Sequence, residues 1–244
     1  MKKIFTLLVA VTMTVSIFGQ TTIAEWAPNS TNCPGGVGNS GPSPFTATAS
    51  DPNLSIGGLT RGSGITNPTG TSSGAASAWG GVGTTSPSAT DAVTNNDFAT
   101  FTVTANTGYK VSLTSIEKYN VRRSKTGSTK GQWQYKIGNG SFVNIGSEIT
   151  WGNNTDKTGN EQSAIDLSTI TDLQNVPAGT TVTFRVLAYG ASDEGGTWYL
   201  VNGNDSATSK TLTIKGTVTT SSLEVSDISK TKNIFLKNTI VDNT

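Results

Sequence analysis

The stretch at residues 97–113, DFATFTVTANTGYKVSL, carries the clearest structural pattern in the chain. Apolar side chains alternate with threonines through its first half, and the turn sequence Asn106-Thr107-Gly108 precedes a second alternating run. Alternation with a period of two is typical of a strand that has one buried and one solvated face. The stretch therefore predicts two strands joined by a turn, the first with an outward face made of threonine.

The same period recurs along the rest of the chain. Apolar residues 133, 135 and 137 alternate with polar ones, and the Asn-Gly sequence at residues 138–141 is a strong hairpin signal. Residues 182–189 are fairly apolar on both faces, which predicts a central strand. No helical stripe longer than one or two turns occurs beyond the N-terminal segment. About ten strands at regular spacing predict an all-β protein with an antiparallel β-sandwich.

Composition excludes several classes of chemistry. The 244 residues contain no histidine and one cysteine, Cys33, and the formal net charge is +1. A Ser-His-Asp triad, a Cys-His dyad, a His-ligated zinc site and an intrachain disulfide are therefore excluded. The charge balance provides no basic surface for nucleic acid. Thr, Ser, Gly and Asn make up nearly half the chain, which favours strands and turns.

The two ends of the chain differ in character from its middle. Lys2 and Lys3 precede an apolar run of about 15 residues, shorter than the roughly 20 needed to span a membrane. Residues 1–20 are therefore predicted to be a helical signal peptide, with an N-terminal anchor helix as the alternative. No other stretch is apolar enough to cross a membrane, and the predicted location is secreted or on the outer cell surface. Residues 21–219 are predicted to form the sandwich, followed by a short extension at residues 220–244.

A series of short sequence words supports a family resemblance. In chain order they are Leu59-Thr60-Arg61-Gly62-Ser63-Gly64, Phe98-Ala99-Thr100-Phe101-Thr102-Val103, Gly108-Tyr109, Val121-Arg122-Arg123-Ser124, Thr183-Phe184-Arg185, Tyr189-Gly190-Ala191-Ser192, Gly195-Gly196-Thr197-Trp198 and Leu212-Thr213-Ile214-Lys215-Gly216. On these words, the chain from about residue 46 to 218 resembles a jelly-roll module of secreted Bacteroidetes proteins and of other anchored bacterial surface proteins. The family is similar to galactose-binding-like sandwiches. It occurs beside nucleases and other hydrolases, usually without a defined activity of its own, and function does not follow from such a fold.

The end of the chain resembles a second family. Leu223-Glu224-Val225-Ser226-Asp227, Lys230 and the run from Phe235 to Val241 look like the opening of a type IX secretion sorting tail. The resemblance implies carriage across the outer membrane by the type IX secretion machinery. The glycine- and lysine-bearing motifs that end such tails are missing. Residues 220–244 are therefore either a truncated sorting tail or only a partial match.

Paired carboxylates are the remaining route to catalysis in a chain without histidine. Glycosidases place two carboxyl groups across a cleft, roughly 5–10 Å apart. None of the six glutamates has a second acid two positions away, where both would share one face of a strand. Asp193 and Glu194 are adjacent, so on a strand they would point to opposite faces. The sequence predicts that the protein is not an enzyme.

One polar segment is the candidate site for a glycan. Trp151 lies at a strand-to-loop boundary beside Asn153, Asn154 and Asp156. An exposed indole would offer a flat apolar surface to a sugar ring, and the amide and carboxylate groups would bond its hydroxyls. Packing of Trp151 in the core or in the hairpin is the other interpretation, and the sequence favours it over an exposed ring.

Three arginines are candidates to pair with an acidic group on the ligand. Arg122, Arg123 and Arg185 lie in predicted strands. Consecutive strand residues face opposite sides, so only one of Arg122 and Arg123 can point into a given cleft. Arg123 is the ligand-binding candidate, and salt bridges at the rim of a sheet are the alternative.

Oxygen-rich loops suggest calcium as the one candidate cofactor. Asp156 and Glu161 lie in one such loop and Asp205 lies in another. Calcium accepts carboxylate, amide and backbone oxygens, so these three residues are the candidate ligands of a structural ion. Solvated turn residues are the alternative.

The predicted function is extracellular binding or adhesion, with a glycan or another surface polymer as partner. The alternatives are a structural spacer or surface-coat component without a ligand, and an accessory domain of an extracellular hydrolase. An exposed Trp or Tyr on a concave face or loop rim would favour binding. Buried aromatics with flat threonine faces outside would favour the structural role, and two facing carboxylates in a cleft would favour an enzyme.

Overall fold

The structure is a computed structural model that describes residues 19–35, 40–67, 77–155, 157–204 and 208–221. The predicted signal segment up to residue 18 and the predicted sorting tail from residue 222 lie outside the described residues, as do Asp156 and Asp205.

The described residues form an all-β fold with one short α-helix. The strands are β1 Thr21–Trp26, β2 Ala49–Ser50, β3 Leu54–Arg61, β4 Ala78–Val82, β5 Phe98–Ala105, β6 Tyr109–Ile116, β7 Tyr119–Arg123, β8 Lys130–Ile137, β9 Val143–Thr150, β10 Asn160–Gln162, β11 Ile165–Asp166, β12 Val176–Pro177, β13 Thr181–Tyr189, β14 Thr197–Asn202 and β15 Leu212–Thr220. Four of these fifteen strands contain only two or three residues. The prediction of about ten strands is close to the number of strands with five or more residues. The shorter strands were not predicted, because two or three residues carry no periodic pattern.

The strands form three antiparallel sheets. The six-stranded sheet has the order β11-β6-β15-β1-β2, with β12 also paired to β6. The four-stranded sheet has the order β10-β7-β14-β4, and the five-stranded sheet has the order β3-β5-β13-β8-β9. The prediction that residues 182–189 form a central strand is confirmed, since β13 lies between β5 and β8 with neighbours on both sides. The predicted hairpin is also confirmed, because β8 and β9 pair across the Asn-Gly turn.

The three sheets share one core, which makes the fold a β-sandwich. Phe101 of the five-stranded sheet packs on Trp26 of the six-stranded sheet, with ring centroids 4.7 Å apart. Trp133 of the five-stranded sheet donates a 2.8 Å hydrogen bond from Nε1 to the hydroxyl of Tyr119 in the four-stranded sheet. All five tryptophans are at most 1% exposed. Large aromatic rings supply much of the apolar area of this core, which offsets the low apolar content of the chain.

A two-turn helix, α1 Ala89–Asn95, covers one end of the five-stranded sheet. It begins with a capping box, in which the Ser88 side chain accepts from the Asp91 backbone N–H and Asp91 bonds the Ser88 backbone N–H. Its Ala92 packs on Leu187 and Tyr189 of β13. The helix thereby closes one end of the sheet's outer face and leaves the rest of that face uncovered by α1.

Candidate functional site

Trp151, the predicted stacking residue, is buried in the core. Its indole is 0% exposed and lies 6.3 Å from the ring of Trp198. Gly131 on β8 allows this approach, because an added Cβ there would overlap the Trp151 ring. The hypothesis of an exposed indole is therefore wrong, and core packing, the interpretation that the sequence favours, is what the structure shows. Burial of this large ring removes apolar surface from water, and this stabilises the folded state.

Arg123 is also turned inward, away from any ligand. The residue is 7% exposed, and its Nε donates to the carbonyl of Ser128 at 3.2 Å. Burial lowers the pKa of its guanidinium. Its neighbour Arg122 donates from Nε to the carbonyl of Thr155 and lies over the ring of Tyr199 at 5.0 Å. Both arginines thus brace loops, and the ligand role predicted for Arg123 conflicts with its burial.

The polar loop after Trp151 is held by asparagines from neighbouring strands. Asn160 donates to the carbonyl of Asn153 at 2.7 Å, and Asn120 donates to the carbonyl of Thr158 at 3.0 Å. Asn153 and Asn154 are exposed, as predicted. The loop therefore presents polar groups to water, but the aromatic surface expected beside them is absent from the described part of the loop.

Glu161, a predicted calcium ligand, already has partners. It forms a 3.0 Å ion pair with Lys118 and accepts a 2.7 Å hydrogen bond from Ser209. These contacts, with Ser209 the stronger influence, lower the pKa of the carboxyl group. Within the described ranges, no three acidic, cysteine or histidine side chains cluster closely enough to hold a metal ion. A calcium site with Asp156 and Asp205 therefore stays a prediction.

A groove of about 460 Å³ separates β9 from β10 and contains two carboxylates, Glu148 and Glu161. Glu148 bonds Lys130 at 2.8 Å and accepts a 2.6 Å hydrogen bond from the Tyr189 hydroxyl. The bond from Lys130, followed by that from Tyr189, lowers the pKa of Glu148. A glycosidase needs one carboxyl group whose pKa is raised so that it can donate a proton. Both carboxylates of this groove are shifted in the opposite direction.

A third arginine, Arg61, locks the loops that surround Cys33. It donates to the carbonyls of Ser40 and Gly41 and lies 4.8 Å from the centre of the Trp79 ring. Cys33 is fully buried, and this burial raises its pKa to about 12. The thiol is therefore protonated and shielded near neutral pH, which argues against a nucleophilic role.

The outer face of the five-stranded sheet presents a different set of side chains. Its polar residues on β5, β8 and β13 are half-buried and point away from the core, and two half-buried phenylalanines lie among them. We call this surface the Arg185 face; its residues are Phe98, Thr100, Thr102, Gln134, Lys136, Phe142, Thr183 and Arg185.

Arg185 lies at the centre of this face and is held on several sides. Its Nε donates a 2.6 Å hydrogen bond to Oε1 of Gln134, the residue opposite it on β8. Its Cζ atom lies 3.7 Å from the ring centroid of Phe142 and 5.5 Å from that of Phe98. Burial lowers the pKa of the guanidinium. These contacts fix the guanidinium in one place, and arginine stacks well on aromatic faces.

Among the described residues, no acid pairs with the two cations of the Arg185 face. Lys136 lies on β8 with its Nζ 5.2 Å from the Phe142 ring. In the part of the chain that the structure describes, the ion pairs are Lys118–Glu161 and Lys130–Glu148, and neither includes Arg185 or Lys136. The face therefore offers hydroxyls, an amide and two cations on one surface, which suits a ligand rich in hydroxyl or anionic groups.

The sequence predicted only part of this face. Arg185 was recognised as a candidate partner for an acidic group, whereas Gln134, Lys136, Phe98 and Phe142 were not assigned to a site. Gln134 and Lys136 alternate with buried Trp133 and Tyr135, so their outward direction could be read from the pattern. Their position beside Arg185 depends on the pairing of β8 with β13, which is a tertiary feature.

No protein-family model matches this chain, and no curated protein matches its sequence. Among the helices in the described ranges, none has the length and apolar character required to cross a membrane.

Proposed function

We propose that this protein is a secreted, non-catalytic β-sandwich module that binds an extended glycan or surface polymer on the Arg185 face. The observation that carries the proposal is the guanidinium of Arg185. It is held by Gln134 and Phe142, and no carboxylate among the described residues pairs with it. A cation that is held in place but pairs with no carboxylate is preorganised for a ligand, because little further side-chain entropy is lost on binding.

The chemistry of the face suits a polyhydroxylated chain. Thr100 on β5 and Gln134 on β8 lie directly opposite Arg185, so donors and acceptors stand in a row across three strands. Hydroxyl and amide groups both donate and accept, as sugar hydroxyls do. Phe98 and Phe142 add half-buried aromatic surface at the same place. An open sheet face of this kind accommodates an extended polymer more readily than a small molecule.

A non-catalytic role is supported by the groove between β9 and β10. Its two carboxylates, Glu148 and Glu161, are each bonded to a lysine and a hydroxyl group. Histidine, the most frequent general base in enzymes, is absent from the chain. The secreted location rests on the N-terminal segment, and type IX sorting and a Bacteroidetes origin rest on the sequence resemblances.

A structural spacer is the second candidate function. It is favoured by the burial of all five tryptophans and by the threonine-rich outward face of β5. These are the features expected of a module that meets only water. The two candidates differ in whether the Arg185 face retains a ligand.

A matched pair of bulky substitutions tests the proposal. The full chain and two variants are passed over a panel of immobilised polysaccharides, in calcium and in a chelator. Thr183→Trp places a large ring on the Arg185 face, whereas Thr217→Trp places one on the outer face of the six-stranded sheet. We expect binding to at least one polysaccharide, lost in Thr183→Trp and kept in Thr217→Trp. Absence of binding by the unaltered chain across the panel would favour the spacer.

A further inference from the structure

We infer that the ligand is an acidic polysaccharide whose carboxylate groups pair with Arg185 and Lys136. This inference rests on the proposed function, since it names the chemical class of polymer that the Arg185 face would bind.

The free hydrogen-bond donors of Arg185 carry the first step. Gln134 occupies Nε, and within the described residues no acceptor bonds Nη1 or Nη2. A guanidinium group presents its N–H donors in a plane that matches the two oxygens of a carboxylate. Hydroxyls can also accept from these donors, but only an anion compensates the charge.

The rigidity of Arg185 is the second step. Phe142 and Phe98 contact the guanidinium, and Gln134 is itself held by a 2.7 Å hydrogen bond to Asn144. Binding a charged group to a mobile arginine costs side-chain entropy, and much of that cost is avoided when the arginine is already fixed. Burial has also removed part of the guanidinium's hydration, which a carboxylate partner would replace.

Lys136 places a second positive charge near Arg185 on the same face. Lys136 lies two residues from Gln134, the residue opposite Arg185, so the two cations are diagonal neighbours roughly 7–8 Å apart at the backbone. Both contact Phe142. Glu148, on the neighbouring strand β9, is bonded to Lys130 and Tyr189. Two cations in a line fit a polymer with repeated carboxylates better than one with a single charge.

Polygalacturonic acid and its methyl ester separate charge from sugar recognition. The two polymers share one backbone and differ in whether the carboxyl group is ionised. Binding of the full chain to each is measured by calorimetry and by affinity electrophoresis at low and high salt. We expect the acid form to bind at least roughly tenfold more tightly than the ester, and its affinity to fall as salt rises.

Three variants assign the effect to residues. Arg185→Gln and Lys136→Gln each remove one positive charge from the face, and Lys125→Gln removes one from an exposed turn outside it. Circular dichroism and the melting temperature establish that each variant folds. We expect roughly tenfold weaker binding of the acid form for Arg185→Gln, a smaller loss for Lys136→Gln and no change for Lys125→Gln.

The outcomes distinguish the inference from the proposed function. Equal binding of acid and ester would overturn the charge inference and leave glycan binding supported. Binding of the acid form that neither Arg185→Gln nor Lys136→Gln weakens would overturn the assignment to these residues. Failure to bind either polymer would overturn the inference for uronic acids, and failure across the wider polysaccharide panel would overturn the proposed function as well. If Arg185→Gln does not fold, Lys136→Gln and the salt dependence decide the inference.

Discussion

The outer faces of the five-stranded and six-stranded sheets are both rich in threonine, but their charged side chains differ. On the six-stranded outer face (Thr22, Glu25, Thr213, Lys215 and Thr217) the charges of both signs are bonded locally. Lys215 donates to the Thr22 hydroxyl at 2.9 Å, and Glu25 accepts from Thr213 at 3.1 Å. The Arg185 face instead carries two cations, Arg185 and Lys136, which contact aromatic rings and an amide, and none of its residues is an acid.

This difference separates a solvated face from a candidate binding face. Threonine alternation is a property of each strand and occurs in both sheets, so it carries no functional information by itself. The informative feature is a pair of cations, one of them held in place, on a face whose residues include no acid, because the opposite charges of the other face offset each other.

The largest expected effect concerns the core beneath both faces. Phe101 is 2% exposed, stacks on Phe184 at 5.1 Å and packs on Trp26. Phe101→Ala should lower the free energy of unfolding by about 3–5 kcal/mol, because a cavity replaces a large ring. Urea denaturation measures this loss. Since the core is shared, we expect the two sheets to unfold in one transition, and separate transitions would show that the faces are independent units.

The second effect tests whether the two faces differ in binding. Arg185→Glu and Lys215→Glu each replace one cation by one anion, on opposite faces. We expect the Kd for polygalacturonic acid to rise roughly hundredfold in Arg185→Glu, since a repelling charge replaces an attracting one. Lys215→Glu should change it less than roughly twofold. Equal losses in the two variants, measured by calorimetry, would mean that net charge rather than a particular face controls binding.

The third effect is the pH dependence of thermal stability that comes from Glu148, which is bonded to Lys130 and Tyr189. The bonds from Lys130 and Tyr189 hold the pKa of Glu148 below its usual range. The ionised form is therefore stabilised in the folded state. Its contribution is complete above the ordinary glutamate pKa of about 4.3 and is lost as the pH falls through the lower folded value. Glu148→Gln should melt at a lower temperature than the unaltered chain at pH 6.

The same pair of proteins supplies the control for that prediction. At pH 3 the melting temperatures of Glu148→Gln and the unaltered chain should converge, because the carboxylate is being protonated. Differential scanning calorimetry across this range measures the difference. A difference that stays constant from pH 6 to pH 3 would contradict an ionic role for Glu148.

The smallest expected effect concerns the threonines that the two faces share. Thr102 and Thr217 are half-buried outward residues on β5 and β15. Thr102→Ala and Thr217→Ala should each change the free energy of unfolding by less than about 0.5 kcal/mol, as surface substitutions usually do. A loss well above 1 kcal/mol in only one of them, by urea denaturation, would show that one face is more than a solvated surface.

Much of the fold could be predicted from the sequence, because it rests on local patterns. The alternation in β5, the Asn-Gly turn between β8 and β9 and the two apolar faces of β13 each lie within a few neighbouring residues. The short helix α1 was harder, since Ala89–Asn95 lacks a long apolar stripe. Ser88 and Asp91, spaced as in a capping box, were the available signal for its start.

The candidate site was less predictable than the fold. Trp151 and the polar residues after it form a plausible site when they are read along the chain. Burial of the Trp151 ring depends on Gly131 and Trp198, which lie far from it in sequence. The inward direction of Arg123 likewise depends on the turn that contains Ser128. Exposure is therefore the property that sequence reasoning could not decide at these two positions.

The sequence by itself determined the all-β class, the outward threonines and the absence of histidine and disulfide chemistry, since these follow from composition and from a period of two. Only the tertiary structure decided which aromatics form the core and which charges remain unpaired. The pairing of β8 with β13 places Gln134 beside Arg185, and the return of the chain after the hairpin turn places Phe142 over it. Burial and charge compensation depend on residues distant in sequence, so they are settled when the sheets pack.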